Sequence, residues 1–219
     1  MLFDLRSRGR RRTVQAVYLG LAILMGGGLV LFGVGTGTGG GGLLNAFGGG
    51  SSNQKQVISS DERAALNQVK AAPNNPAGWA ALVQARWTSA GQGANYNQSA
   101  GTFTAAGKNK LRQTTEAWQK YLALTQKPDP DVAILAARAY AALGDYANQA
   151  SAWELVASAN PTETKAFECL AVSAYAAKQT RKGDLAAAKA VSLTPKAARL
   201  TLTQTLQQAK TNPAVAQQC

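Results

Sequence analysis

No histidine occurs anywhere in this sequence, which removes the side chain that most often moves protons near neutral pH and the commonest ligand of zinc. Asp, Glu, Lys and Tyr are present but form no constellation of nucleophile, base and orienting group, so no catalytic residue is assigned. The two cysteines, Cys169 and Cys219, are too few for a disulfide framework and lack metal-ligand spacing. Cys169 stands in the apolar run Phe167-Glu168-Cys169-Leu170-Ala171 and reads as core, because a free thiol packs like a small hydrophobe. Cys219 is assigned no role, and no metal is expected.

Gly35-Thr36-Gly37-Thr38-Gly39-Gly40 satisfies GxGxxG after an apolar run, the spacing of a dinucleotide-binding turn. That chemistry needs a helix directly after the glycines, whose N-terminus meets the pyrophosphate, and an acidic residue about 20 positions on. Here more glycine follows, ending in Gly48-Gly49-Gly50-Ser51-Ser52, so the string reads as a tether and no cofactor is expected. The formal net charge is +12. Lys and Arg are spread among acids after residue 50, without the clustered cations and stacking aromatics that nucleic acid requires. No nucleic-acid partner is expected.

The elements that would carry any function begin with an anchor. Residues 14–35 are an uncharged, mostly apolar run, and at ~1.5 Å per residue a helix of that length spans a ~30 Å hydrocarbon core. Arg6, Arg8, Arg10, Arg11 and Arg12 precede it against Asp4, and the next arginine is Arg63. The positive-inside rule therefore predicts a cytoplasmic basic tail at 1–13 and a single-pass transmembrane helix in the plasma (inner) membrane. The C-terminal domain then lies on the extracytoplasmic side. A cleaved signal peptide shares the charge order, but its apolar stretch is shorter and ends in an A-x-A-like site, which is missing here. Gly20 with Gly27, Gly26 with Gly33 and Gly28 with Gly35 place small residues where another transmembrane helix could pack laterally. Residues 36–58 form a flexible Gly/Ser-rich linker with a reach of about 25 Å.

Beyond Ser59 the chain is alanine-rich and amphipathic, and its prolines set a ruler. Pro128, Pro161 and Pro195 are spaced 33 and 34 residues apart. Between each pair lie two helix-length segments joined by a turn, Leu143-Gly144-Asp145-Tyr146 in one and Arg181-Lys182-Gly183-Asp184-Leu185 in the next. In the unit before them Trp79 and Leu82 open the first helix, and Ala117, Tyr121 and Leu124 mark the second. In the following unit Tyr140 and Trp153 hold aromatic positions, with Ala133, Ala137 and Gln149 as substitutes. In the last, Phe167, Leu170, Ala171, Gly183 and Ala187 fall at the expected offsets, with Ala174 in place of a tyrosine. This pattern resembles the tetratricopeptide repeat, a 34-residue helical hairpin. Small residues let two helices cross closely and an aromatic one turn away fills the space beside them, so Trp79, Tyr121, Tyr140, Trp153 and Phe167 are read as core.

The expected fold class is all-α: after the transmembrane helix, a solenoid of about three helical hairpins at 59–210. A lone helix at 64–71 stands before it, a capping helix at 196–210 closes it, and 211–219 is a C-terminal tail. An insertion at 88–110, TSAGQGANYNQSAGTFTAAGKNK, is longer than a hairpin turn needs. It reads either as a loop folded onto the domain or as a partner-contact loop. By resemblance to the family, first helices line a concave groove, and the protein-binding residues would be Gln84, Trp87, Ile134, Arg138, Lys165, Glu168 and Tyr175. The charged clamp that some members use for a partner's C-terminal carboxylate is not reproduced, because Ala80, Leu135 and Cys169 stand at its positions. The resemblance implies a membrane-tethered scaffold for a protein or peptide partner in the bacterial envelope, similar to subunits that accompany secretion or envelope assembly. The alternative is a basic exterior module, carrying the +8 that remains after the tail's +4, held electrostatically to anionic lipid or wall polymer.

Overall fold

A computed structural model of the chain describes residues 58–219, which form one compact unit. The expected cytoplasmic tail, the 14–35 helix and nearly all of the linker lie outside the described residues. Among the described residues no helix is long and apolar enough to cross a membrane.

The unit is all-α apart from one short ribbon. Helix α1 (Ser60–Ala71) is followed by α2 (Pro76–Ala90) and α3 (Ala105–Leu124), then α4 (Pro130–Leu143) and α5 (Tyr146–Ala159). Next come α6 (Thr164–Ala176), α7 (Thr180–Leu193) and α8 (Arg199–Thr211). Each helix packs on the next in sequence, and α2 also packs on α4. From the first residue of α4 to that of α6, and from α5 to α7, is 34 residues in both cases.

Local chemistry sets these boundaries. Ser59, Asn75, Thr104, Asp129 and Asp145 each cap a helix by accepting a backbone N–H from its first turn, which satisfies donors that the helix itself leaves free. Pro76 and Pro130 occupy the first turn, where proline's missing N–H costs nothing. Gly144 ends α4 at φ 76°, where its N–H returns to the Ala141 carbonyl; a residue with a Cβ is disfavoured in that left-handed conformation.

The core lies along the helix crossings. Ala133, Ala136, Ala137, Ala150, Ala171 and Ala174 are fully buried, and Trp118, Tyr121, Tyr140 and Trp153 fill the space beside them. Trp79 and Phe167, also expected in the core, are only half-buried and pack against its edge.

Three findings amend the sequence expectations. First, the insertion is folded. Helix α2 continues to Ala90 and α3 starts at Ala105, so the connection is 91–104, and within it Tyr96–Asn97 pairs antiparallel with Thr102–Phe103. Phe103 stacks edge-on with Tyr96 at 5.1 Å and packs on Trp87 at 6.3 Å. Gly107 abuts the Asn95 carbonyl so closely that any side chain there would collide with it.

Second, 211–219 is not a free tail. Asn212 caps a 3₁₀ turn, Pro213–Gln218, that packs against α4, α6 and α8 and buries Val215 and Ala216. Third, Cys169 is core but is not a free thiol. It forms a disulfide with Cys219 across 50 residues of sequence, with the Cα atoms 5.5 Å apart. Two cysteines without a framework gave no sequence signal for this pairing; α7 and α8 folding back along α6 bring them together.

A buried ion cluster ties α1, α2 and α3. Lys110 Nζ donates to both Glu62 oxygens at 2.8 and 3.0 Å, with both residues about 2% exposed or less. Arg86 Nε donates to Glu62 Oε1 at 3.2 Å and its Nη1 to the Gln113 carbonyl at 2.9 Å. Removing one partner strands the other charge away from water, whereas replacing both with apolar groups does not. Glu62→Ala should therefore destabilise the domain by about 3–5 kcal/mol. Glu62→Leu combined with Lys110→Met should recover part of that loss, since Arg86 loses its carboxylate but keeps the Gln113 carbonyl. Thermal melting followed by circular dichroism checks this; equal losses in the single and double variants would contradict it.

Candidate protein-binding cleft

Trp87 and Arg138, two of the residues expected in a groove, meet at one cleft of about 700 Å³. Helix α2 contributes Trp87, the inserted connection Gly101, Thr102 and Phe103, and α3 Lys108. Helix α4 contributes Arg138, Ala141 and Ala142, and the C-terminal segment Gln217, Gln218 and Cys219. The spacing of α4 accounts for its share: Arg138 and Ala142 are four residues apart and so lie on one face.

The lining combines flat apolar area with cations. Trp87 and Phe103 pack together beside Ala90, Leu111 and Ala139, so the aromatic wall is supported from behind. Lys108 and Arg138 are exposed, no acidic side chain lines the cleft, and neither cation belongs to an ion pair among the described residues. An arginine in that position can donate two parallel hydrogen bonds to a carboxylate. The walls suit an apolar or aromatic side chain and the rim an acidic one.

The other expected residues fall elsewhere. Gln84 is exposed on α2, and Ile134 is half-buried on α4. Lys165 and Glu168 pair with each other at 3.2 Å on α6. Tyr175 is 7% exposed and belongs to the interior of the last helices, not to a groove surface. Its hydroxyl donates to Asp184 Oδ1 at 2.8 Å, Lys210 Nζ lies 2.9 Å from the same carboxylate, and Gly183 leaves room for the ring. Phe103 and Lys108 belong to the 88–110 insertion, read above as a folded loop or a partner-contact loop, whereas the Gln217–Cys219 wall was not anticipated. The aromatic residues of an otherwise polar insertion were the signal for the loop.

A second, more apolar hollow of about 670 Å³ lies among α5, α6 and α7, lined by Phe167, Leu170, Leu185 and Ala186 and bridged by the Lys182–Glu154 ion pair at 2.7 Å. None of the expected groove residues lines it. No cluster of three or more potential metal ligands occurs among the described residues. Comparison with known proteins supplies no relative: no protein-family model, no curated protein and no solved structure matches the sequence.

Electrostatics at the α6–α7–α8 junction gives a pH prediction. Hydrogen bonds from Lys210 and then Tyr175 hold Asp184 below its ordinary 3.8. Burial first, and then the bond to Asp184, raise Tyr175 well above the usual 10.0. A lowered acid stabilises the fold above its unfolded pKa, and that share is lost as pH falls through the folded value; a raised phenol stabilises below 10.0 and is lost as pH rises through its folded value. With no histidine to titrate between, the melting temperature should stay flat from about pH 5 to 9. Asp184→Asn should lower that plateau and shrink the drop below it in acid. A plateau that slopes through pH 6–7 would contradict this.

Proposed function

We propose that this protein is a membrane-tethered scaffold of tetratricopeptide type, anchored by 14–35, that binds an envelope protein through the cleft between α2, α3 and α4. The observation that carries the reading is the cleft itself, with a supported aromatic wall and two cations that have no acidic partners among the described residues. Three further facts support it. The helices of the second and third hairpins repeat at 34 residues, as tetratricopeptide hairpins do. Arginines stand before the apolar run, on the side that remains cytoplasmic. Disulfides persist outside the cytosol, so the Cys169–Cys219 bond suits an extracytoplasmic domain. The partner segment that fits is acidic, with an aromatic or large apolar side chain.

Topology is checked with a reporter active only outside the cytoplasm. Fused after Cys219 it should be active, and fused before Leu2 it should be silent; the reverse result would overturn the placement. Binding is checked with the full chain in detergent, by co-purification at physiological salt and by thermal melting. Arg138 is exposed and unpaired among the described residues, so Arg138→Glu should change stability by no more than about 0.5 kcal/mol. Placing a like charge against an acidic partner should at the same time abolish capture. Lys120→Glu, on the exposed side of α3, should leave both unchanged. Capture that survives Arg138→Glu, or that disappears equally with Lys120→Glu, would rule out this cleft; capture lost on a modest rise in salt would favour simple electrostatic attachment.

A further inference from the structure

The segment 212–219 is held to the domain by little besides one covalent bond. Only Val215, Ala216 and Cys219 are buried, so the apolar area that could retain it is small. Gln149 Nε2 donates to the Ala216 carbonyl at 2.8 Å and Gln217 Nε2 to the Tyr146 hydroxyl at 3.2 Å. These are the contacts of a peptide lying on a surface: one backbone carbonyl read by a side-chain amide, and small side chains pressed between helices. The surface is made by α4, α6 and α8, with Tyr146 and Gln149 reaching it from the first turn of α5. At its far end the same segment walls the cleft through Gln217, Gln218 and Cys219.

That surface also keeps hydrogen-bonding capacity that the segment does not use. Gln149 and Ser173 are fully buried, yet Gln149 Oε1 and Ser173 Oγ have no partner among the described residues. Ser173 is one helical turn from Cys169, on the same face of α6. Buried polar groups are nearly always paired, so the free Gln149 oxygen beside the Ala216 carbonyl is hydrogen-bonding capacity that a longer backbone on this surface could use.

We propose that residues 212–219 are a resident peptide in a binding groove formed by α4, α6, α8 and the start of α5, and that the Cys169–Cys219 disulfide is its latch. This rests on reading the adjoining cleft as the partner site, which the groove would extend. Opening the latch takes a dithiol. One of its thiolates attacks Cys219 Sγ, since Cys219 lines the open cleft and keeps 8% of its surface, whereas Cys169 has none exposed. A mixed disulfide forms with Cys219, and Cys169 leaves as a thiolate and takes up a proton. The second thiol of the reductant then closes its own disulfide and releases Cys219. Two electrons and two protons pass to the cysteine pair, and the dithiol is oxidised. The freed segment leaves, and the groove accepts a partner's extended segment with small apolar side chains, whose backbone pairs with Gln149.

The test uses the full chain in detergent, oxidised, reduced with dithiothreitol, and as Cys219→Ser. Amide hydrogen exchange across 213–219 should accelerate at least about ten-fold on reduction or in the variant, because a weakly packed segment opens locally once untied. Amides of α1 to α3 should not change. A fluorescent peptide with the sequence of 212–219 carrying Cys219→Ser should bind the reduced chain and the variant but not the oxidised chain. Unchanged protection of 213–219 after reduction would overturn the latch, as would loss of protection throughout α4 to α6, which would make the disulfide a structural staple. Release of the segment without peptide binding would overturn the groove. No partner enters these measurements, so the latch and the partner reading can fail separately.

Discussion

Alanine at the helix crossings is the constraint on which the rest of the structure depends. Ala133, Ala136, Ala137, Ala150, Ala171 and Ala174 have no exposed surface, and the short distance between neighbouring helices exists because nothing larger stands there. Close crossing leaves gaps one turn away, which Trp118, Tyr121, Tyr140 and Trp153 fill. A methylene added at an alanine would push two helices apart and cost about 1–3 kcal/mol, while a ring removed would leave a cavity at about 3–5 kcal/mol. Gly183 carries the same logic to its limit, since a Cβ there would enter the Tyr175 ring.

The regular hairpins leave one apolar hollow among α5, α6 and α7, whereas the cleft that carries the cations arises where regularity is broken. The second and third hairpins turn in two or three residues, whereas α2 and α3 are joined by 91–104. That extra chain needs an anchor. It finds one in Gly107 pressed against Asn95 and in Asn95 Nδ2 donating to the Ser89 carbonyl at 2.8 Å. So seated, it presents Phe103 beside Trp87 and Lys108 facing the same hollow as Arg138. The C-terminal segment closes the other side. The candidate site is thus built by the two irregular parts of the domain, and the repeated parts supply its floor.

This division explains what the sequence disclosed. Proline spacing and the alternation of small and aromatic residues arise from helix packing, so the hairpins, the lone helix α1 and the terminal helix α8 were legible, as were Tyr121, Tyr140 and Trp153 in the core. Trp87 and Arg138, placed on a groove by resemblance to the family, line the cleft. Tyr175 was misplaced because the phase that suggested a surface could not foresee α8 covering it, with Lys210 seated over its ring at 5.2 Å. The Cys169–Cys219 bond, the Glu62–Lys110 pair and the approach of Phe103 to Trp87 join residues that are distant in sequence, and no local pattern encodes such contacts.

The claim that the cleft is where this protein meets another one is tested most directly by crosslinking in intact cells. A photoreactive phenylalanine analogue at Phe103 lines the cleft, and the same group at Lys120 lies exposed on α3. The account predicts one discrete adduct from position 103 and none from position 120. Adducts of equal yield from both positions, or none from position 103, would contradict it.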